Sequence, residues 1–162
     1  MPAASAARDA DVVIVATPYA DAVPALRALG DLNGKPVVDI TNPLTADYMS
    51  LAIGHTTSAA EEVAKAVPAA EVVKAFNTVF AQVLQDGGDL GNGNRASVFY
   101  AGDSVRAKQT VETLIESIGF EPVDAGPLRN ARYLEPLAGL NIYFGYGAGK
   151  GTSIAPAWIA RA

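Results

Sequence analysis

The sequence contains no cysteine and a single histidine, His55. Without cysteine the chain has no disulfide framework, no thiolate zinc site and no cysteine nucleophile. One histidine cannot form a histidine metal cluster, and no Ser-His-acid arrangement is persuasive around it. We therefore predict no metal site, and hydrolytic catalysis is disfavoured. His55 is interpreted as a residue of a surface loop.

Positive charge is also scarce, with 12 lysines and arginines against 17 acidic residues in a chain of 162 residues. This balance provides no basic surface for nucleic acid or for an anionic membrane. No basic region followed by a long apolar run opens the sequence, and Lys150 with its neighbouring glycines interrupts the uncharged stretch 137–160. A secretory signal and a membrane span are not indicated. We predict a cytoplasmic protein without nucleic-acid or membrane partners.

Five short apolar runs recur along the chain and are typical of strands that are buried on both faces. Segments with helical spacing lie between them, and Ser58 with Glu61 fits a capping box at the start of one helix. Alternation of strands and helices predicts an α/β fold with a parallel sheet. The five runs are residues 12–16, 36–40, 72–76, 97–101 and 122–124.

Small polar residues and prolines follow the first three of these predicted strands. The carboxyl ends of parallel strands meet at one edge of a sheet, where open α/β proteins bind their ligands. Each residue alone could be a turn former or a helix cap, but together they predict one lined cleft. The residues are Thr17, Pro18 and Tyr19 after the first strand, Asn42 and Pro43 after the second, and Asn77 after the third.

Four segments of the chain carry a resemblance to a known family: residues 9–19, 39–44, 73–78 and 124–128. The last of them, Asp-Ala-Gly-Pro-Leu, is followed by Asn130, Arg132 and Glu135 and is the most specific part. The sequence resembles the NADP oxidoreductases that depend on the deazaflavin coenzyme F420, over almost its entire length. The resemblance implies a Rossmann-like, doubly wound parallel sheet, hydride transfer between NADPH and a deazaflavin, and a homodimer.

The resemblance also implies roles for the residues of the predicted cleft, which binds nucleotide cofactors. Hydride transfer between two bound rings needs no nucleophile, so all candidates are cofactor-binding and none is catalytic. Thr17 and Pro18, with Tyr19 beside them, would line the NADP side. Asn42 and Pro43 would line the nicotinamide region, and Asn77, Pro127 and Leu128 would line the side of the second cofactor.

The C-terminal part of the chain differs from the rest. Leu134, Leu137, Leu140 and Phe144 follow one another at helical spacing, and no further strand is predicted there. We expect residues 1–128 to form a partial Rossmann-like nucleotide-binding domain. Residues 129–162 are expected to form a helical segment that packs on this domain or at a dimer interface.

One departure from the family's pattern lies at the start of the chain. Members begin with a strand and a turn like G-x-G-x-x-G that holds the pyrophosphate, followed by a second strand-helix unit. Neither unit precedes Asp11 in this sequence. We therefore expect strand 12–16 to be an open edge of the sheet. Three explanations of the missing units stay open: the sequence is a fragment, another chain supplies the missing half, or the protein is a degenerate member of the family. Two other functions stay open, namely a non-enzymatic interaction domain and an NADPH-dependent reductase with a flavin or metal-ion acceptor.

Overall fold

The computed structural model describes residues 2–159 and Arg161. A five-stranded sheet and a separate two-stranded hairpin are built from β1 (Val13–Val15), β2 (Pro36–Asp39), β3 (Glu71–Lys74), β4 (Asp89–Gly91), β5 (Asn94–Arg95), β6 (Ser97–Gly102) and β7 (Glu121–Asp124). The helices are α1 (Ala3–Asp9), α2 (Tyr19–Arg27), α3 (Ala59–Ala66), α4 (Ala81–Asp86), α5 (Val105–Ser117) and α6 (Ala131–Ile142). The five predicted strands are confirmed, with small shifts at their ends.

The main sheet has the strand order β1-β2-β3-β6-β7. β1, β2 and β3 are parallel, as are β6 and β7, whereas β3 and β6 are antiparallel. The predicted α/β class is confirmed, and this antiparallel pair is the difference from a fully parallel sheet. A parallel connection needs a crossover that is usually a full helix. α4 has only six residues, and β6 therefore begins at the sheet edge where β3 ends.

Helices cover both faces of the sheet, as a doubly wound fold requires. Val37 of β2 packs with Val63 of α3 on one face. Its neighbour Val38 packs with Val111 of α5 on the other, because successive strand residues point to opposite faces. α6 lies next to α3, and Leu134 packs with residues of β6. The sheet is thus held between two layers of helices.

The start of α3 follows the predicted capping box. The Ser58 side chain accepts a hydrogen bond from the backbone N–H of Glu61, and its hydroxyl donates to Glu61 Oε2 at 2.8 Å. The first of these bonds satisfies one of the backbone N–H groups that a helix start otherwise leaves unpaired. The cap fixes where α3 begins, and this position matters for the site described below.

β1 lies at one edge of the sheet and pairs with β2 alone within the part of the chain that the structure describes. The Ile14 side chain on this strand is 51% exposed. Among the described residues β1 is therefore an edge strand. An edge of this kind leaves backbone N–H and C=O groups available for pairing.

A 3-10 turn, Leu128–Asn130, precedes α6. After Ile142 the helix continues as a π-helical turn, Tyr143–Gly147. Among the described residues, none of the helices combines the length and apolarity needed to cross a bilayer. Of the predicted helical segment 129–162, Ala160 and Ala162 lie outside the described residues.

Candidate functional site

Asn42 and Asn77 meet where β2 and β3 end at the same sheet edge. Asn42 Nδ2 donates to the backbone oxygen of Asn77 at 2.9 Å, and Asn77 Nδ2 donates to Asn42 Oδ1 at 3.0 Å. Asn77 Nδ2 also donates to the backbone oxygen of Leu134 in α6 at 3.0 Å. The two predicted amides therefore form a pair, and this pair is tied to α6.

Buried oxygens without hydrogen-bond partners concentrate at this edge. Within the described residues, four buried side-chain oxygens are unpartnered: Thr17 Oγ1, Thr41 Oγ1, Asn77 Oδ1 and Thr78 Oγ1. All four lie shortly after β1, β2 or β3. Most buried polar atoms in proteins have partners, so these four oxygens are acceptors that the protein itself leaves without a donor. Hydroxyl and amide oxygens fit the carboxamide and ribose groups of a nicotinamide nucleotide.

Three further predicted residues, Pro18, Tyr19 and Pro43, follow β1 and β2. Pro18 is exposed at the N-terminus of α2, and Pro43 is buried with its carbonyl accepting from the Ala52 N–H at 2.7 Å. Burial raises the pKa of Tyr19, and the nearby carboxylates, including that of Glu135, raise it further. The Tyr19 phenol therefore stays protonated at neutral pH and can donate a hydrogen bond.

Pro127 and Leu128 are placed differently from each other. Pro127 is exposed, but the Leu128 side chain is buried in the core with Val15 and Ala131. The Leu128 N–H donates to Asp103 Oδ1 at 2.9 Å. Leu128 thus packs beneath the surface, and its side chain is not part of the Asn42–Asn77 pair.

A group of buried charges that the sequence analysis did not single out lies beneath the strand ends. Lys74 Nζ is 3.0 Å from Asp39 Oδ2 and 3.0 Å from Glu135 Oε1. All three side chains are at most 1% exposed. We call these three residues the buried charge network. A sequence signal for it exists, since Asp39 and Lys74 are charged residues that directly follow a pair of valines at the ends of β2 and β3.

Backbone groups complete the buried charge network. Glu135 accepts from the N–H groups of Ala59 at 2.9 Å and Ala60 at 3.2 Å, at the start of α3. The N-terminus of α3 carries a partial positive charge, which stabilises the Glu135 carboxylate. This offsets part of the excess negative charge that two carboxylates and one lysine leave in the network. Lys74 donates to the backbone oxygen of Thr41, whose N–H donates to Asp39 Oδ1 at 2.8 Å. The network therefore holds the end of β2 next to Asn42.

An open cleft of about 880 Å³ lies on the other side of α6. Arg132 in this cleft is paired with Glu61, with Nη2 to Oε1 at 2.6 Å and Nε to Oε2 at 2.9 Å. This pairing lowers the pKa of Glu61. His55 is exposed in a loop, as predicted, and also lines the cleft, but none of the predicted site residues does. The lining residues are Leu51, Ala52, Ile53, Gly54, His55, Arg129, Asn130, Arg132, Tyr133 and Pro136.

Comparison with known proteins gives the following matches. A sequence profile described as "NADP oxidoreductase coenzyme F420-dependent" matches residues 1–43. A candidate F420-dependent NADP reductase from Arthrobacter sp. FB24 is 36% identical with a TM-score of 0.86, over 98% of this chain and 74% of that one. A hypothetical protein from Sinorhizobium meliloti is 38% identical with a TM-score of 0.70, over 77% of this chain and 60% of that one.

A curated relative is described as a metalloreductase. Rat metalloreductase STEAP3 is 38% identical over 128 residues, which is 78% of this chain and 25% of that protein. The chain thus spans a quarter or less of the curated relatives that it matches. The likeness to the Arthrobacter protein runs through β1, β2, β3 and α6 alike, because it covers nearly the whole chain. On the strength of that match, this chain belongs to the family of coenzyme F420-dependent NADP oxidoreductases.

Proposed function

We propose that this chain takes part in hydride transfer between NADPH and the deazaflavin coenzyme F420. The observation that carries the proposal is the Asn42–Asn77 pair, in which Asn77 Oδ1 is buried and unpartnered at the carboxyl edge of the sheet. A bound nicotinamide would supply the hydride chemistry. The carboxamide of that ring carries N–H groups, which can donate a hydrogen bond to Asn77 Oδ1. The task of the chain itself is to position the two reacting rings and to exclude water from them.

The other residues take supporting roles in this proposal. Thr17 and Tyr19 offer hydroxyl groups to the NADP side, next to the exposed Pro18. Buried Pro43 fixes the backbone beside Asn42. Pro127 flanks the side of the second cofactor, where Leu128 contributes packing from within the core.

The buried charge network acts as a brace in this proposal. Lys74 donates a hydrogen bond to the Thr41 carbonyl. Glu135 lies on α6 and accepts a hydrogen bond from the N–H of Ala59 at the start of α3. These bonds keep the loop after β2 and the helix α6 in one arrangement. Since Asn42 lies in that loop and α6 provides the Leu134 acceptor for Asn77, the brace keeps the amide pair aligned.

A second candidate function uses a flavin or a metal ion as the hydride or electron acceptor. The likeness to rat metalloreductase STEAP3 favours it, since that relative is described as acting on metals. In that case the metal ion is a substrate, and NADPH binding at the Asn42–Asn77 pair is unchanged. The two candidates therefore differ only in the acceptor.

We also propose a cytoplasmic homodimer formed through the C-terminal segment. The second half of α6 and the turn after it expose large apolar side chains, and exposed apolar surface commonly marks protein interfaces. Substitution of Leu140 by Glu should convert the dimer to a monomer in sedimentation experiments, whereas Val105→Glu on α5 should not. A wild-type chain that sediments as a monomer would contradict this. The exposed residues are Leu140, Tyr143, Phe144 and Tyr146.

The test combines binding and turnover. NADPH binding is measured by titration calorimetry, and NADPH oxidation is followed with coenzyme F420, FMN or a ferric chelate as acceptor, with the Arthrobacter protein assayed in parallel. Asn77→Ala should weaken NADPH binding at least tenfold. The matched control is Asn141→Ala, because Asn141 Nδ2 also donates from a buried site to a backbone oxygen, that of Thr78 at 3.1 Å.

The outcomes separate the candidates. Oxidation of NADPH with coenzyme F420 supports the first, and oxidation with the ferric chelate or FMN alone supports the second. Equal NADPH affinity of the Asn77→Ala and Asn141→Ala variants would refute the assigned site. Absence of NADPH binding by a folded wild-type chain would favour the interaction-domain function.

A further inference from the structure

The cleft beside α6 holds positive charge in a chain that is acidic as a whole. Its lining includes Arg129 and Arg132 and no aspartate or glutamate, and Glu61, which pairs with Arg132, is not part of the lining. The chain overall has 17 acidic against 12 basic residues. A cleft whose charge opposes that of the whole protein attracts a ligand of negative charge.

The two arginines of the cleft are not equivalent. Arg132 is engaged by Glu61 through two hydrogen bonds, at 2.6 and 2.9 Å. Arg129 has no ion-pair partner within residues 2–159 and Arg161, and it is exposed. Arg129 is therefore the guanidinium that can bind an anion without first losing a partner.

The N-terminus of α6 adds to this positive field. Asn130, Arg132 and Tyr133, at and just after its start, line the cleft. The Asn130 side chain accepts no capping hydrogen bond from this end of the helix, and its Nδ2 donates to the backbone oxygen of Ala125 at 2.6 Å. The amino end of a twelve-residue helix carries a partial positive charge that favours an anion.

Apolar side chains form the rest of the wall. Leu51, Ile53 and Pro136 line the cleft together with Tyr133, whose ring is 73% exposed. A free inorganic ion gains nothing from such a surface. The lining instead suits an anionic group that is carried on an organic body.

The cleft is connected to the Asn42–Asn77 pair by short stretches of chain. Leu51 forms a β-bridge with Leu44, and the Leu44 N–H donates to the backbone oxygen of Asn42 at 2.9 Å. On the other side, the α6 residue Leu134 accepts the hydrogen bond from Asn77. A ligand in the cleft is thus held by the same loop and helix that hold the amide pair.

We infer that this cleft binds the anionic side chain of the second substrate, and that Arg129 is the residue that selects for it. The inference rests on the proposed hydride transfer and names the substrate class: a ring system with a side chain that bears phosphate or carboxylate. Arg129 contacts the side chain, while the reacting ring lies towards the Asn42–Asn77 pair. Arg129 therefore determines specificity, and the hydride does not pass through it.

The test measures binding, independently of turnover, with two pairs of compounds. FMN is compared with riboflavin, and coenzyme F420 with the deazaflavin that retains the ribityl chain but lacks phosphate and carboxylates. Fluorescence quenching gives each dissociation constant for wild type and for Arg129→Gln. The control is Arg27→Gln, an exposed arginine at the end of α2 and away from the cleft.

The expected result is that the phosphate-bearing compound of at least one pair binds about tenfold tighter than its phosphate-free counterpart. Arg129→Gln should remove most of this preference and leave the affinity for the phosphate-free compound unchanged. Arg27→Gln should retain the preference. Equal affinities within both pairs, or a preference that survives Arg129→Gln, would overturn the inference.

Two further arms identify the source of the anion and separate the inference from the proposed function. Displacement of FMN by inorganic phosphate at equal concentration would indicate a site for a free anion and would overturn the inference. Displacement by NADP⁺ would assign the cleft to NADP and would overturn it as well. If NADPH fails to bind while the phosphate preference and its loss in Arg129→Gln persist, the hydride-transfer function fails and the side-chain specificity of the cleft stands.

Discussion

The two sides of α6 hold charged residues in opposite circumstances. On the side that faces the sheet, Glu135 joins Asp39 and Lys74 in a network that is almost fully buried. On the cleft side, Arg132 is partly exposed and paired with Glu61, and Arg129 is exposed without an ion-pair partner in the described part of the chain. The helix α6 therefore separates buried charges, which are paired within the protein, from the charge of Arg129, which is available to a ligand.

The difference follows from the cost of burial. A charge that is removed from water must be paired and hydrogen-bonded, so each member of the buried network depends on the others. A charge in an open cleft stays hydrated and needs no internal partner, so it is free to bind. Substitutions on the two sides should consequently affect different properties, with stability lost on the sheet side and ligand preference lost on the cleft side.

Lys74→Met tests the sheet side most severely. It leaves the carboxylates of Asp39 and Glu135 buried without their common cation, and we expect a loss of about 3–5 kcal/mol in the free energy of unfolding. Urea denaturation measures the loss. The control is the triple variant Asp39→Asn, Lys74→Met and Glu135→Gln, which removes all three charges and should lose less. A triple variant that is less stable than Lys74→Met would contradict the view that unpaired charge causes the loss.

Gly145 and Gly139 compare packing along α6 and the turn after it. A Cβ at Gly145 would lie 2.6 Å from the Phe80 ring, whereas a Cβ at Gly139 meets nothing within 4 Å. We expect Gly145→Ala to destabilise by about 1–3 kcal/mol through overpacking. Gly139→Ala should stabilise by roughly 0.5–1 kcal/mol, because alanine favours the helix. Thermal unfolding of both variants checks the opposite signs, and equal melting temperatures would argue against the described packing.

The Arg132–Glu61 pair connects the cleft with the start of α3 and should respond to pH. Its hydrogen bonds hold the pKa of Glu61 below the ordinary value of 4.5 in the folded chain. The stability from this pair is therefore fully present above pH 4.5 and is lost as the pH falls through the lowered folded-state pKa. Glu61→Gln should lose this part of the pH dependence and cost much less stability than Lys74→Met. A pH-stability curve of the variant that parallels the wild-type curve would contradict the assignment.

Arg129→Gln should have the smallest effect on stability, since it removes an exposed side chain that is unpaired within the described residues. We expect a change within about 0.5 kcal/mol, as for ordinary surface substitutions. Urea denaturation beside the binding assays described above checks this. A large destabilisation would mean that Arg129 has a structural role, and the contrast between the two sides of α6 would then not hold.

Much of the fold followed from local patterns. Apolar runs such as Val37 and Val38 of β2 predict buried strands because both faces of an interior strand must be apolar. The capping box at Ser58 predicted the start of α3 because its bonds lie within one turn. The direction of β6 did not follow, since it depends on how far the short helix α4 can carry the chain and not on the pattern of β6 itself.

The candidate site was predictable only in part. Asn42 and Asn77 were identified because polar residues at the ends of adjacent parallel strands must lie close together. Leu128 looked equivalent in sequence but packs in the core with Val15. The partners of Asp39 and Lys74 were hidden, because Glu135 is brought to them by the packing of α6 against α3.

The sequence by itself determined the five strands of the main sheet, most of the helices, the α/β class and the two amides at the sheet edge, because these depend on periodicity and on short-range backbone bonding. Tertiary structure alone decided that Glu135 meets Lys74 and that Arg129 is exposed beside an open cleft. The physical reason is that burial and ion pairing of charges depend on distances between elements far apart in the chain, here across 61 residues between Lys74 and Glu135. Local patterns carry no information about such distances.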